Sequence, residues 1–338
     1  MMTTQYREAE PSRPNFLAIL LIGAGVVWLL GQLNVLGASA FSVLARFWPL
    51  IIVAIGVNLL LGRNNPAMSR MIAIVTIIIF VALMLLGPSL GLAQNVEVQT
   101  QTFSEAVDDA QSAVVNLNLS LGDSTVTAGS SSDLISARLR YIGDVEFDVE
   151  NEGNERVVTL SNEVGPNSGS FSFFPFFNFG TDSPDLGWDV VLTPNIPLTL
   201  NVSGGVGNNE LDLDGLQIER LSVNSGVGNT MVMLPALENE YRVDINGGVG
   251  ETDVTVAEGA SIVLDINGGV GNITVDVPDD AAVRLDADGG VGNINIVGSY
   301  TRISGEGDNG VWESESYDDA TNRIEITVDG GVGNFTLR

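Results

Sequence analysis

One five-residue motif returns at nearly fixed spacing through the second half of the chain, and it limits the fold more than any other feature. Its copies are Gly204-Gly205-Val206-Gly207-Asn208, Ser225-Gly226-Val227-Gly228-Asn229, Gly247-Gly248-Val249-Gly250-Glu251, Gly268-Gly269-Val270-Gly271-Asn272, Gly289-Gly290-Val291-Gly292-Asn293 and Gly330-Gly331-Val332-Gly333-Asn334. A worn copy, Asn309-Gly310-Val311-Trp312-Glu313, fills the one wide gap. Counted on the glycine after valine, with Trp312 in its place, the steps are 21, 22, 21, 21, 20 and 21 residues. So steady a period marks stacked supersecondary units.

Each unit holds two alternating runs. Ile262, Leu264 and Ile266 precede one corner, with Val263, Asp265 and Asn267 on the other face, and Ile273, Val275 and Val277 follow it, with Asn272, Thr274 and Asp276 opposed. That is the period-two pattern of half-buried strands. Two folds use such units: a solenoid, in which equivalent residues stack ~4.8 Å apart, and an antiparallel meander closed by Asn-Gly turns. The solenoid is favoured, because equal residue types recurring at one translation place like on like. Seven coils from Gly207 to Gly333, the worn copy included, would make a rod roughly 34 Å long. Weaker echoes precede them at Leu121-Gly122-Asp123, Ile142-Gly143-Asp144, Val164-Gly165 and Leu186-Gly187-Trp188. Among these, Ser168 to Asp182 carries six phenylalanines, read as a loop over the open end of the core or as an exposed aromatic patch.

The chain's N-terminal part reads differently. Three apolar stretches, Phe16 to Leu36, Phe47 to Leu61 and Met71 to Leu92, precede Gln94, and the outer two are long enough to cross a bilayer. Arg7 and Arg13 lie before the first stretch and Arg63 and Arg70 before the third, with no basic residue again until Arg138. The positive-inside rule then puts the N-terminus in the cytoplasm and the C-terminal domain outside. A cleaved signal peptide ending at Ala38-Ser39-Ala40, or cleavage after Ala93, is the competing reading. Five arginines against Glu8 and Glu10 leave the first 94 residues at +3, so the remainder carries −31 of the formal −28. Such an acidic domain repels phosphate backbones, which excludes nucleic acid as a partner and leaves membrane lipids for the anchor.

Histidine, cysteine and lysine are absent. Their absence removes imidazole bases, thiol nucleophiles, disulfides and Cys/His zinc sites. Gly-Gly-Val-Gly lacks the Lys-Ser/Thr of a phosphate-binding loop, and acids are so frequent that a carboxylate pair identifies no glycosidase or lyase. The expectation is a protein that is not an enzyme. What remains are columns. Counting back six from the marker glycines gives Asn201, Ser222, Asp244, Asp265 and Asp286; counting back four gives Ser203, Asn224, Asn246, Asn267 and Asp288; counting forward one gives Asn208, Asn229, Glu251, Asn272, Asn293 and Asn334. The asparagines are expected to form structural ladders. Arg242 and Arg284 share a face with Asp244 and Asp286, whereas Asp265 has only Val263 beside it. Asp265, Asn267 and Asp288 are therefore the candidate ligands for calcium, the one cofactor considered; no other is expected.

Phe47-Trp48-Pro49-Leu50, followed by Gly56 and Leu59-Leu60-Leu61, resembles the signature of LiaI/LiaF-type membrane segments. Ala113-Val114-Val115 leading to Leu121-Gly122-Asp123, Trp188 before Pro197, and Gly205-Val206-Gly207 before Leu211-Asp212-Leu213 resemble the toast-rack β domain of LiaF-like envelope-stress proteins. The resemblance implies a membrane-bound sensor or accessory role in the envelope stress response, acting on another membrane protein such as a histidine kinase. The chain departs from it by repeating Gly-Val-Gly to its end, where a different C-terminal region is expected in LiaF itself. The organisation expected is an anchor of about three transmembrane helices over 1–94, a linker over 95–109, a toast-rack-like β region over 110–190 and a β-solenoid-like all-β repeat over 191–338. Function is read as an envelope-facing sensor or interaction scaffold, with an adhesin-like binding rod as the rival. Because Phe335-Thr336-Leu337-Arg338 ends the chain inside a repeat, the last coil is expected to be covered, either by the Ser299 to Asp319 insertion or by a partner.

Overall fold

The computed structural model describes residues 49–62, 66–87, 89–90, 98–129, 132–163, 185–307 and 309–338, together with Gly23, Gly25, Val43 and Phe47. The first expected span (apart from those two glycines), the Val164-Gly165 echo and the phenylalanine-rich run lie outside these residues. The chain forms two compact units, one helical and one β.

In the helical unit, α1 (Pro49–Val57) runs into a π-helical turn (Asn58–Gly62) and is followed by α2 (Pro66–Leu86). Ala67–Leu86 is long and apolar enough to cross a membrane, and Pro49–Leu60 is a shorter apolar helix. The expected third span, Met71 to Leu92, is thus shifted toward the N-terminus. Proline suits the first turn of a helix, and the chain leaves the helix at Gly87 because a residue before proline is driven out of α geometry. Ala54 and Ala73 are buried together, whereas Ile74, Val75, Ile78 and Ile79 are exposed. The hydroxyl of Thr76 donates to the Ile72 carbonyl at 2.8 Å and so is satisfied within the helix.

The β unit is built from coils. A coil comprises a strand in one sheet, a sharp Gly-Val-Gly corner, a strand in a second sheet and a turn back. The coils pair β2 (Ser112–Leu121) with β3 (Asp123–Ala128), β8 (Pro197–Val206) with β9 (Asn209–Asp212), and β10 (Gln217–Asn224) with β11 (Thr230–Leu234). They continue as β12 (Tyr241–Asn246) with β13 (Thr252–Val256), β14 (Ile262–Asn267) with β15 (Ile273–Asp276), β16 (Val283–Asp288) with β17 (Ile294–Ile296), and β20 (Ile324–Asp329) with β21 (Phe335–Leu337). Neighbouring coils pair in parallel and in register, Val243 beside Leu264 and Ile245 beside Ile266, as a solenoid requires and a meander forbids. Inward residues such as Leu221, Val243, Leu264, Ile326 and Leu285 are fully buried between the sheets. Each contributes ~1.5–3 kcal/mol of burial free energy.

Glycine at the corner is set by contact between coils. Gly207 and Gly250 have φ of 149° and 146°, and a Cβ on either would overlap the carbonyl oxygen of the marker glycine below, Gly122 and Gly228 respectively. The worn copy fails this condition. Trp312 cannot enter the corner, and residues 309–313 instead lie in β19 (Asn309–Ser314), which pairs antiparallel with β18 (Tyr300–Glu306) and with β16. The seventh coil is supplied at the other end. Gly122 forms a true corner, its N–H donating to the Val206 carbonyl at 3.0 Å, so the β2–β3 coil underlies the β8–β9 coil.

The stack also departs from chain order. In the larger sheet β14 is followed by β20 and only then by β16, and in the smaller sheet β15 is followed by β21 and then β17. The last coil of the sequence is therefore inserted between two earlier ones. The hairpin of β18 and β19 holds the far edge of β16, and β20 takes the near edge. The final coil is covered, but by neither the expected insertion nor a partner: β20 lies between β14 and β16 and β21 between β15 and β17, while the insertion supplies the hairpin that caps β16 instead.

Below the first coil lies a mixed cap of β1 (Gln99–Ala106), β4 (Asp133–Tyr141), β5 (Asp144–Glu152), β6 (Glu155–Glu163) and β7 (Gly187–Leu192). The expected linker is therefore largely strand: β1 pairs antiparallel with β4 from Gln99 to Ala106. The Gly187 echo stacks on the Gly122 corner, where the buried Trp188 donates its indole N–H to the Leu121 carbonyl at 3.2 Å.

Two predictions follow from corner and order. Gly250→Ala combines left-handed strain with overlap and should lower stability by roughly 3 kcal/mol, whereas Gly259→Ala, with φ 81° but open space around it, should cost only about 1 kcal/mol. Urea unfolding of the full chain followed by tryptophan fluorescence separates the two. Because the chain has no cysteine, strand order can be read by engineered disulfides. Asp265→Cys with Thr327→Cys, neighbours in register, should close under mild oxidation, and Asp265→Cys with Asp286→Cys should stay open. Chain-order stacking gives the reverse.

Candidate functional surface

The outward columns of the larger sheet hold the residues singled out for calcium. Asp244 and Asp265 stand side by side on β12 and β14, as expected, but Asp286 does not continue the column: Thr327 of the inserted coil lies between it and Asp265. Asp265 is not without help either. The Arg242 guanidinium reaches diagonally to it at 3.1 Å, as Arg220 reaches Asp244 at 3.0 Å, so each arginine serves the aspartate of the next coil. The sequence argument paired residues within one strand; the side-chain length of arginine makes the diagonal reachable. Arg284 turns instead to Glu313 of the capping hairpin, at 2.7 Å.

Asn267 stacks on Asn246 and donates to its Oδ1 at 2.9 Å, and Asn246 does the same to Asn224. Asp329 then lies between Asn267 and Asp288, and Asp288 accepts from the Asn309 amide at 2.5 Å. Asp265 and Asn267 thus share one strand and face, while Asp288 sits two strands away, ~10 Å along the stack. Among the described residues no group of three acids is gathered as a metal ligand set.

A second ladder runs along the corners. Four asparagines after the marker glycine accept the main-chain N–H of the next coil: Asn208 from Asn229 at 3.1 Å, Asn229 from Glu251 at 3.1 Å, Asn272 from Asn334 at 3.1 Å and Asn334 from Asn293 at 3.2 Å. The expected structural ladders are therefore real, with side chain bonded to backbone. Beside them the valines of the motif pair in a column, Val206, Val227, Val249, Val270, Val332, Val291. Sequence reasoning missed their position. They point outward at the corner, each about half exposed, and Val291 is 72% exposed because no coil follows it.

At that end β17 is the last strand of its sheet among the described residues, with β21 on one side and no described strand on the other. Tyr300 packs partly buried against the core nearby, and burial, with Asp279 adding to it, pushes its phenol pKa upward. The signal that could have located this edge was the worn corner: a missing coil leaves an end.

Three families match the chain. The LiaI-LiaF-like transmembrane region matches residues 15–60, the N-terminal domain of toast_rack matches 93–255, and the C-terminal domain of the cell wall-active antibiotics response protein LiaF matches 241–337. The last match corrects the expectation that the Gly-Val-Gly repeats depart from LiaF at the C-terminus. Among solved structures, a proposed cell adhesion protein from Clostridium sporogenes ATCC 15579 is 21% identical, with 71% of this chain and 99% of that one covered and a TM-score of 0.49. A proposed adhesin from Bacteroides fragilis NCTC 9343 is 13% identical, covering 72% and 99%, with a TM-score of 0.26. None of the curated proteins matches. With matches running almost from end to end and an apolar helix following the membrane motif in sequence, the chain is a LiaF-like protein with a toast-rack β domain.

Proposed function

We propose that this protein is a non-enzymatic, multi-pass envelope protein whose β stack faces outward and whose anchor engages another membrane protein, such as a histidine kinase, in the response to envelope damage. The observation that carries this reading is the union in one chain of a LiaI-LiaF-like membrane region with a LiaF C-terminal domain. The distribution of arginines supports the orientation, since Arg63 and Arg70 fall between the second and third apolar stretches. The β stack suits a scaffold: its polar columns are spent on internal ladders and Arg–Asp pairs, and it offers a long, regular surface and a distinct end.

Replacing residues 1–94 by an unrelated multi-pass anchor of the same topology tests the role of the anchor. Induction of a cell-wall-stress reporter by a cell-wall-active antibiotic should fall to the uninduced level, while protease added to intact spheroplasts still removes the β domain. Retained induction would assign the function to the β domain alone, as in an adhesin-like rod. Protection of the domain from protease in the unaltered protein would reverse the topology.

A further inference from the structure

The open edge of β17 is the feature least explained by stability. From Val291 to Val297 every second residue bonds to the inserted coil: Val291 N–H donates to Gly331 O at 2.8 Å, Phe335 N–H to Asn293 O at 3.0 Å, and Val297 N–H to Leu337 O at 2.8 Å. The alternate residues, Ile294 and Ile296, therefore turn their N–H and C=O groups away from β21, toward the side where the described residues supply no further strand. Asn293 ends the corner ladder, so its Oδ1 has no following coil's N–H to accept.

The β5 edge and the C-terminal end of the larger sheet differ in kind. β5 carries Asp144, Glu146, Asp148, Glu150 and Glu152, all exposed, so charge guards it against a neighbour. In the larger sheet, the hairpin of β18 and β19 covers β16. By contrast Gly289 to Thr301 contains no charged residue, within a domain that carries nearly all the acid of the chain. Val291 and Val297 are exposed there.

We propose that the β17 edge is a docking site for one parallel β-strand of a protein partner. Its recognition chemistry is written in the interfaces beneath it. The residue that stacks on Gly290 and the residue that stacks on Gly292 must be glycine, because a Cβ on Gly290 or Gly292 itself would overlap a carbonyl of the Gly331–Gly333 corner below, and the next coil meets the same geometry. A main-chain N–H must reach Asn293 Oδ1, and alternating apolar residues must follow to cover Ile294 and Ile296. The partner strand is thus a neutral Gly-x-Gly-led segment with apolar alternation. Its flanks are basic, since exposed Asp279 and Asp280 and the net acidity of the domain repel an acidic segment and disfavour a second copy of this chain.

The probe is a fluorescein-labelled peptide copying residues 330–338, Gly-Gly-Val-Gly-Asn-Phe-Thr-Leu-Arg, whose native counterpart already lies in parallel along the other side of β17. Titrated with the full-length protein in detergent micelles, it should bind with saturable anisotropy in the micromolar to sub-millimolar range. A peptide with both internal glycines, at the 331 and 333 positions, changed to Ala should not bind. Ile296→Pro removes an outward N–H and no ladder bond, and should weaken binding at least tenfold while circular dichroism shows the β unit still folded, its melting temperature lowered only by the lost packing of this partly buried side chain. Asn293→Ala should weaken it several-fold. Asn295→Cys should form a disulfide with a peptide bearing Cys at the Thr336 position and not with one bearing it at the Asn334 position. Absence of binding, binding indifferent to Ile296→Pro and Asn293→Ala alike, or loss of register selectivity in the disulfide would overturn the proposal.

Discussion

Backbone lies against backbone at every corner of the stack, and the rest of the β unit depends on that contact. The marker glycine of each coil sits on the carbonyl of the marker glycine beneath, Gly271 on Gly250 and Gly333 on Gly271, too near for any Cβ. With corners fixed at strand spacing, the two flanking strands fall into register without further specification. The buried columns then align, Leu221, Val243 and Leu264 on one sheet and Val232, Val254 and Val275 on the other. The same contact also places the valine outward. Between two glycines that cannot carry side chains, the chain turns so sharply that the middle residue points to solvent, and six valines are left half exposed in a row.

This contact selects for identity of corner and is indifferent to sequence order, which is why the stack can be permuted. Corners at Val270, Val291 and Val332 are nearly the same five residues, so either of the later two satisfies the one at Val270. What distinguishes them is the connection. The segment after β17 folds into a hairpin that pairs with the free edge of β16, leaving the final coil the slot on the other side. Arg338 then closes on Asp276 of the coil below, which ties the chain terminus into the stack it has entered. Sequence periodicity is a one-dimensional signal. It reports that units can stack and is silent on which unit lies on which.

Legibility follows the same division. The parallel two-sheet coil, its corner and its buried faces could be read from Ile262 to Val277 alone, because alternation and glycine spacing are local. The Arg–Asp pairs could not, since they depend on a diagonal between strands. Arg242 reads as a partner of Asp244 two residues away on its own strand, and in space it serves Asp265. The calcium candidates were drawn from a column that assumed chain order, and the inserted Asp329 and Thr327 break it. β1 falls in the expected linker: Gln99-Thr100-Gln101-Thr102 has no apolar alternation, and an edge strand against β4 needs little of it. Trp188 was noticed as a family mark, but its work, satisfying the Leu121 carbonyl at the first corner, is a tertiary matter.

The two ends of the stack resolve the problem of exposed edges by opposite means. At the N-terminal end the parallel ladder is ended by strands of reversed direction: β4 runs antiparallel to β7, and β5 runs antiparallel to β6 with carboxylates along its outer positions. Reversal and charge together make a poor template for a further parallel coil. At the C-terminal end only one sheet is treated in this way, by the β18–β19 hairpin on β16, whose Trp312 lies opposite Leu285. The second sheet keeps its ladder direction, the unspent Oδ1 of Asn293 and its neutral sequence. A cap long enough to block β16 could have been extended over β17, and the Ser299 turn leads the chain away from it instead. An edge kept in growing register at one end of an otherwise terminated stack is a feature that stability alone does not require.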